Sequence, residues 1–331
     1  MPLVNFRKPS YLQKRLVTEN SKHIAMMGRS ILMSSIFLLN TLVLVTLVRG
    51  RHAEFSDIKY WFLRSHVLSD IFVSLIYSAF VIVRYGQMNI DTSYSCLLMY
   101  SLLISSNQVS AMSLLFVSVD QYIAIVHPLR YNSLVSELSA KVAVSFSWLF
   151  SAIVGFLPLI IQWDQRVDHF TECSVTVFPL AYVMFWGIVQ LYVPCVLMVT
   201  MYAQVLVVAH RHIRQNQMEV QPQNVDVHPG SMPLSILKAE VKVAVTVVIM
   251  LVVLMVCWLP FNIVLTLNVH GGRLLHSMDF VGSLAVTNSL FNPILYLIRF
   301  AKLRKSCIGM IRFKCCNKVQ LAVVPINLDV M

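Results

Sequence analysis

The 331-residue chain has few charged residues and few residues that interrupt regular structure. Asp, Glu, Lys and Arg make up 12% of it, against about a quarter in soluble domains, which excludes a water-soluble globular protein. With 57% hydrophobic residues, 10 Gly and 12 Pro, it is not a disordered segment either. Its seven cysteines include no Cys-x-x-Cys pair and no His/Cys cluster with zinc spacing. A membrane-embedded protein without metal or redox chemistry is therefore expected.

Seven apolar runs are long enough to cross a bilayer, which needs roughly 20 helical residues. The polar stretch from about His210 to Leu237 has no apolar period and predicts a loop. The predicted fold class is an all-α membrane protein, a seven-transmembrane helix bundle. The runs lie near residues 25–48, 60–83, 95–126, 141–162, 177–209, 240–268 and 277–299.

Lysine and arginine indicate the orientation of the bundle, because cytoplasmic loops are enriched in them. Most of the 26 basic residues fall on one side if the N-terminus is outside. A basic N-terminal tail, with Arg29 counted in it, runs against this rule. We predict a multi-pass protein of the cell membrane with its N-terminus outside. The net charge of +11 then reports orientation and contact with membrane lipid, and no nucleic-acid partner is expected.

Several polar side chains lie inside the apolar runs, where their cost makes each a candidate functional residue. Asn288 and Asn292 are four residues apart and share a helix face. Two interpretations fit equally well: an oxygen cage for a small hard cation or a proton, and a polar network that joins helices. The set comprises Asn40, Asp70, Asn107, Gln108, Ser110, Asp120, Asn288, Ser289 and Asn292.

Motifs in several helices follow the order of a known receptor family. Asn292-Pro293-Ile294-Leu295-Tyr296 is similar to NPxxY, and Cys257-Trp258-Leu259-Pro260 to CWxP. Asp120-Gln121-Tyr122 stands in the place of Asp-Arg-Tyr. Together these motifs resemble a rhodopsin-like (class A) G-protein-coupled receptor. Further residues at marker positions of that family are Asn40, Asp70, Trp148, Pro194 and Tyr202.

The resemblance implies a receptor that is not an enzyme. Its partners would be an extracellular or membrane-borne ligand, a heterotrimeric G protein and, in addition, arrestin. Prolines within the last helices would let them bend. The residues implied for switching and G-protein coupling are Asp120, Gln121, Tyr122, Leu129, Tyr202, Pro260, Pro293 and Tyr296.

The resemblance also divides the chain and assigns its cysteines. It implies an extracellular tail over 1–24, the receptor domain over 25–299, an amphipathic eighth helix over 300–314 and a cytoplasmic tail over 315–331. Cys96 and Cys173 match the family's extracellular disulfide. Cys315 and Cys316 stand where palmitoylated cysteines often follow; free cytosolic thiols are the alternative.

A polar set within the bundle matches the family's allosteric sodium site, which favours the cation cage over the polar network. It consists of Asp70, Ser110, Asn288, Ser289 and Asn292. No other cofactor is expected. His66 stands nearby, where leucine is usual. We interpret it as a histidine hydrogen-bonded to water rather than as a pH-sensitive group.

Gln121 departs from the family pattern. It removes the arginine charge that would pair with Asp120 and with Glu240 at the foot of the sixth span. A non-signalling or arrestin-biased receptor is therefore one alternative. Another is a seven-helix transporter with Asp70 and Asp120 as a proton relay, but a relay needs further ionisable groups toward the outside, and the sequence has none.

The pocket implied by the resemblance contains no charge. Leu103 stands where amine receptors have aspartate, so a bound ammonium would be unpaired. Val286 replaces the lysine that binds retinal in opsins. A neutral ligand, lipid-like or small and polar, is expected. The predicted pocket residues are Leu103, Asn107, Trp186, Gln190, Trp258, Asn262 and Leu265.

Overall fold

The structure is a computed structural model that describes residues 11–50, 58–85, 93–162, 178–218, 234–270 and 275–310. Within these ranges it is helical and contains no strand. The fifth helix, α5, runs through an α-helical segment (Leu180–Gly187), a π-helical turn (Ile188–Tyr192) and a second α-helical segment (Val193–Met218). The other long helices are α1 (Tyr11–Arg49), α2 (Lys59–Tyr85), α3 (Ser93–Val126), α4 (Glu137–Gln162), α6 (Leu234–Val269), α7 (Leu275–Arg299) and α8 (residues 301–310). Two short helical turns, Pro128–Arg130 and Tyr131–Leu134, connect α3 to α4.

The first seven helices each contain a segment long and apolar enough to cross a membrane, which confirms the predicted seven-helix bundle. Large apolar side chains such as Leu38, Ile160 and Phe280 point outward and are more than half exposed. Polar side chains such as Asp70 and Asn292 are buried inside. This arrangement suits a lipid solvent, which accepts apolar surface and excludes unpaired polar groups.

Two boundaries differ from the prediction. Helix α1 begins at Tyr11, so the predicted tail over 1–24 is helical from residue 11 onward. Helix α5 continues to Met218 and α6 begins at Leu234, which shortens the predicted loop between His210 and Leu237. Apolar runs mark the hydrocarbon-spanning part of a helix, whereas the helix itself continues wherever the local residues have adequate helix propensity.

Helix α3 lies at the centre and packs against α2, α4, α5 and α6. Its contact with α4 is close because Gly155 has no side chain. A Cβ atom there would collide with the Ser105 hydroxyl and lie 2.6 Å from the Ser101 carbonyl oxygen. Small residues allow helices to approach in this way when lipid gives no hydrophobic driving force.

The π-helical turn of α5 follows from Pro194, which has no amide hydrogen. The amide of Val193 donates to the Ile188 carbonyl, five residues back. In that pattern the Val189 carbonyl would pair with residue 194, so it is left free and accepts from Gln108 Nε2 of α3 at 3.4 Å. The turn therefore connects α5 to α3 at the level where Gln190 and Leu191 point inward.

Helix α8 lies across the end of the bundle, which we call the cytoplasmic end in keeping with the predicted orientation. Leu303 and Cys307 are buried, while Lys302, Arg304 and Lys305 are exposed, as an amphipathic surface helix requires. The Cys307 thiol lies 3.0 Å from the Thr46 hydroxyl of α1. Burial raises the pKa of the Cys307 thiol above its ordinary value.

Candidate functional site

A cluster of polar side chains joins α2, α3 and α7 in the middle of the bundle. The carboxylate of Asp70, fully buried, is held by three donors. Its Oδ1 accepts from the Ser289 hydroxyl at 2.8 Å and from Ser110 at 3.3 Å, and its Oδ2 accepts from Asn292 Nδ2 at 3.0 Å. We name this the polar cluster; its members are His66, Asp70, Ser110, Ser289, Asn292 and Tyr296.

His66 lies inside this cluster, where the sequence had suggested only a bond to water. Its Nε2 is 2.8 Å from Asn292 Nδ2 and 3.1 Å from Ser110 Oγ. An amide nitrogen can only donate, so Nε2 is an acceptor and Nδ1 carries the ring hydrogen. Nδ1 lies 3.2 Å from the Tyr296 hydroxyl, to which it donates, and the two rings meet edge to face. His66 thus links Asn292 to Tyr296.

The arrangement of the polar cluster does not fit a sodium ion. Both oxygens of Asp70 already accept hydrogen bonds from protein groups. Hard cations prefer several oxygen ligands, and Asp70, Ser110 and Asn292 would have to supply them. These three residues instead surround His66 Nε2, with Asp70 Oδ2 at 3.7 Å. An imidazole nitrogen therefore stands where those side chains converge. Asn288 is buried one turn away, but the bonds to Asp70 come from the other three residues.

An aromatic cluster lies between α5 and α6, farther from the cytoplasmic end of the bundle than the polar cluster. Trp186 contacts Trp258 and Phe261 edge to face, each with ring centroids 6.1 Å apart. Trp258 and Phe261 are 5.7 Å apart and likewise edge to face. Gly187 allows Asn262 to approach α5, since a Cβ atom there would lie 2.8 Å from Asn262 Oδ1. Phe261 was not among the predicted pocket residues, although its place one turn from Trp258 could have identified it.

The other predicted pocket residues lie on α3, α5 and α6. Gln190 and Leu265 are buried, and Asn262 donates to the Trp258 carbonyl within α6. On α3, Leu103 is buried and Asn107 donates back to its carbonyl oxygen at 2.8 Å. The structure therefore places the predicted set on facing helices. Within that set Trp186 and Trp258 make a ring contact, and both also contact Phe261, which was not predicted.

Two buried polar atoms in this region have no hydrogen-bond partner among the described residues. They are Trp186 Nε1 and Gln108 Oε1. Gln108 is fully buried, and its Nε2 reaches α5 at Val189, about one turn beyond Trp186. Buried polar groups are nearly always paired, so an unpaired donor and acceptor mark a place where another molecule could bind.

At the cytoplasmic end, Asp120 accepts from the Tyr131 hydroxyl at 2.9 Å and lies 3.5 Å from Gln121 Nε2. The Oε1 of Gln121 is buried and makes no hydrogen bond within the described part of the chain, whereas the buried hydroxyl of Tyr202 has the Ser118 side chain beside it as a partner. Tyr122 points elsewhere and donates to Gln204 Oε1 of α5 at 2.7 Å. Leu129 is 85% exposed, an unusual position for leucine beyond the apolar spans.

Two of the predicted switch residues are prolines inside helices, Pro260 in α6 and Pro293 in α7, where each removes one backbone hydrogen bond. Cys96 is disulfide-bonded. Its predicted partner Cys173 lies outside the described residues, as do Cys315 and Cys316. The pairing and the acylation stay predictions.

Arg29 is not part of a solvated tail. It lies within α1, where its guanidinium bonds to the Ser283 hydroxyl and the Asp279 carbonyl, both at 3.2 Å. It also pairs with the Asp279 carboxylate at 3.5 Å. The arginine counted against the predicted orientation is therefore a connection between α1 and α7.

Comparison with known proteins identifies the family of the chain. The family described as 7 transmembrane receptor (rhodopsin family) matches residues 39–296, which include the polar cluster, the aromatic cluster and the cytoplasmic end. The chain belongs to this family. It is a G-protein-coupled receptor of the cell membrane that crosses the bilayer several times.

The receptor is similar to members of the family that are named for different ligands. Adenosine receptor A2a of Homo sapiens is 28% identical over 294 residues, 82% of this chain and 68% of that receptor. Cannabinoid receptor 1 of Xenopus laevis is 27% identical over 310 residues, 89% of this chain and 64% of that receptor. Dopamine receptor 1 of Drosophila melanogaster is 25% identical over 314 residues, 81% and 59% of the two chains.

Proposed function

We propose that this receptor binds a neutral, lipid-like or small polar ligand between α3, α5 and α6 and transmits the binding to a heterotrimeric G protein. One observation carries the ligand half of the proposal: Trp186 Nε1 and Gln108 Oε1 are buried and unpartnered beside the aromatic cluster. Such atoms cost free energy until a ligand pairs with them. A ligand with an apolar body, one acceptor and one donor would satisfy both.

The neutral charge of the ligand is inferred from the side chains around it. None of the predicted pocket residues is ionisable, nor is Gln108 or Phe261. A cationic amine there would be a buried, unpaired charge. The relatives' names include a catecholamine, a nucleoside and the cannabinoids. The uncharged pocket favours the last two classes, and Leu265, where adenosine receptors have asparagine, favours a lipid-like ligand over a nucleoside.

Sets of compounds that share a body and differ in charge test this proposal. Oleoylethanolamide, oleic acid and oleylamine form one set, and adenosine with its monophosphate forms another. We expect only neutral members to raise the melting temperature of the purified receptor, and Trp186→Phe to remove that rise because it deletes the indole N–H. Stronger stabilisation by a charged member would contradict the proposal.

The coupling half of the proposal concerns Gln121, Tyr202 and Leu129. The unpartnered Gln121 Oε1 lies toward the cytoplasmic end, where a G-protein segment could pair with it, and the buried Tyr202 hydroxyl, which contacts Ser118, lies toward the same end. The exposed Leu129 supplies an apolar contact outside the bundle. The outward movement of α5 and α6 that would admit the segment is supported by Pro260 inside α6 and by the π-helical turn of α5.

Nucleotide exchange by purified G proteins, with the receptor in lipid nanodiscs, tests the coupling. Gln121→Arg is expected to increase exchange about fivefold, because the charge and five donors of a guanidinium outweigh the loss of the Gln121 Oε1 acceptor. Leu129→Asp should abolish exchange while leaving the melting temperature unchanged, and serves as the control for the docking surface. No exchange with wild type and with Gln121→Arg, across all G-protein classes, would favour the non-signalling alternative. Arrestin recruitment in cells would then identify an arrestin-biased receptor.

A further inference from the structure

We propose that the imidazole of His66 takes the place of the sodium ion in the polar cluster, so that this receptor has no sodium response. The sodium site was expected from the family resemblance, and the disagreement comes from the position of one side chain. The proposal concerns ion binding in the bundle. It does not depend on the ligand or on G-protein coupling.

The position of His66 Nε2 is the first observation. It lies 2.8 Å from Asn292 Nδ2, 3.1 Å from Ser110 Oγ and 3.7 Å from Asp70 Oδ2. These groups belong to three of the five residues of the expected ion site, and they come from three helices. A hard cation would have to lie about 2.4 Å from each ligand oxygen. The ring nitrogen already lies among these groups and holds the Asn292 amide, so an ion drawing the same groups together would compete with it for space and for ligands.

The ring is also held firmly in that position. Its Nδ1 donates to the Tyr296 hydroxyl at 3.2 Å, and the Tyr296 ring packs against it at a centroid distance of 5.9 Å. His66 is fully buried, so rotation toward solvent would require both bonded nitrogens to lose their partners inside the bundle. Entry of an ion thus competes with several hydrogen bonds at once.

Hydrogen bonding in the cluster replaces what the ion would do. Asp70 bonds to Asn292, Asn292 to His66 and His66 to Tyr296, which makes a continuous chain of hydrogen bonds that crosses between α2 and α7 three times. The donors that surround the Asp70 carboxylate offset part of the cost of its burial without a metal. A leucine at residue 66 has no nitrogen and a shorter reach, so it would leave Asn292, Ser110 and Tyr296 free to rearrange around a cation.

The experiment measures thermal unfolding of the purified receptor in nanodiscs at constant pH. Each variant is compared in about 0.15 M sodium chloride and in choline chloride of equal concentration, so that ionic strength is matched. The variants are wild type, His66→Leu, Asp70→Asn and the double variant His66→Leu/Asp70→Asn. Ser69→Ala is the matched control, because Ser69 bonds the His66 carbonyl on the same helix but lies outside the polar cluster.

We expect equal melting temperatures in the two salts for wild type, Ser69→Ala and Asp70→Asn. His66→Leu should melt about 2–4 °C higher in sodium than in choline, because an ion that binds only the folded state stabilises it. The double variant should lose this difference. A sodium-dependent rise in wild type that Asp70→Asn removes would overturn the proposal. So would a folded His66→Leu receptor that shows no sodium effect, since His66 would then not be what excludes the ion.

Discussion

The polar cluster and the two ends of the bundle treat buried polar atoms in opposite ways. In the cluster, both oxygens of Asp70 and both ring nitrogens of His66 have partners on other helices or turns. Outside the cluster, Gln108, Trp186 and Gln121 each bury an atom that has none among the described residues. In a low-dielectric interior the first arrangement stabilises the fold, and the second costs free energy.

This difference indicates that the paired groups hold the fold together, whereas the unpaired groups are candidates for binding other molecules. A paired network holds α2, α3 and α7 in one arrangement and needs nothing from outside. Unpaired groups raise the free energy of the free receptor; in our proposal a ligand at one end and a G protein at the other would relieve that cost. The regions should therefore respond differently to the loss of a polar group, and substitutions can test that contrast.

Asp70→Leu should have the largest effect. It leaves the donors of Ser110, Ser289 and Asn292 without their acceptor, and we expect a loss of about 3–5 kcal/mol in the free energy of unfolding. Chemical denaturation in detergent and the amount of receptor at the cell surface measure it. Asp70→Asn keeps the shape and an acceptor and should lose less than half as much. Equal stability of Asp70→Leu and wild type would contradict the comparison.

Two tyrosine-to-phenylalanine substitutions form a matched pair. Tyr296→Phe removes the hydroxyl that pairs with His66 Nδ1 and should cost about 1–2 kcal/mol, while the edge-to-face ring contact is kept. Tyr202→Phe removes a buried hydroxyl beside Ser118, whose own hydroxyl already donates to the Leu114 carbonyl, and should cost less than about 0.5 kcal/mol. The melting temperatures of the two variants are compared without ligand. The reverse order would show that the Tyr202 hydroxyl makes the stronger contact and would contradict the comparison.

Gln108→Leu should have a small effect of opposite sign. The substitution removes an unpartnered Oε1 and a long hydrogen bond of 3.4 Å, and it leaves an apolar side chain of similar volume. The receptor without ligand should be unchanged or more stable by up to about 1 kcal/mol. Its response to the stabilising neutral compound should weaken in the same assay. A loss of 2 kcal/mol or more, on the order of a paired buried group, would place Gln108 with the polar cluster.

The smallest change concerns the reactivity of Cys307. Because burial raises the pKa of its thiol, less thiolate is present near neutral pH than at an exposed cysteine. Alkylation by a maleimide at pH 7 should be slow in the folded receptor and should accelerate as the pH rises. The site of modification is read by mass spectrometry. Thr46→Val, which removes the neighbouring hydroxyl, serves as a control that should leave alkylation slow if burial is the cause.

Four members of the polar cluster, Asp70, Ser110, Ser289 and Asn292, were expected from the family resemblance, because they stand at that family's marker positions. Asp120-Gln121-Tyr122 and Asn292-Pro293 each place their residues on one helix, where spacing decides which side chains share a face. His66 could not be interpreted in this way. Its partners Ser110, Asn292 and Tyr296 lie 44, 226 and 230 residues along the chain. The sequence does not show which hydrogen-bond partners His66 has, because that depends on which helices pack beside α2.

The helix ends show the same limit on a local scale. The apolar run of the first span begins near residue 25, yet α1 begins at Tyr11. Hydrophobicity reports which residues lie in hydrocarbon, whereas helix length depends on backbone hydrogen bonds that continue into the polar region. Arg29 was counted with the N-terminal tail because it is charged and lies near the start of the apolar run. Its pairing with Asp279 of α7 could be seen only once the two helices were placed together.

By itself, the sequence determined that this protein spans a membrane seven times and belongs to one receptor family. Transfer of a 20-residue apolar run into lipid is favourable whatever its neighbours are, so about 20 local residues decide each span. The tertiary structure decided what the polar residues do inside. The cost of a buried donor or acceptor depends on whether a partner from another helix lies within about 3 Å. That distance separates the paired His66 from the unpaired Trp186 and Gln121.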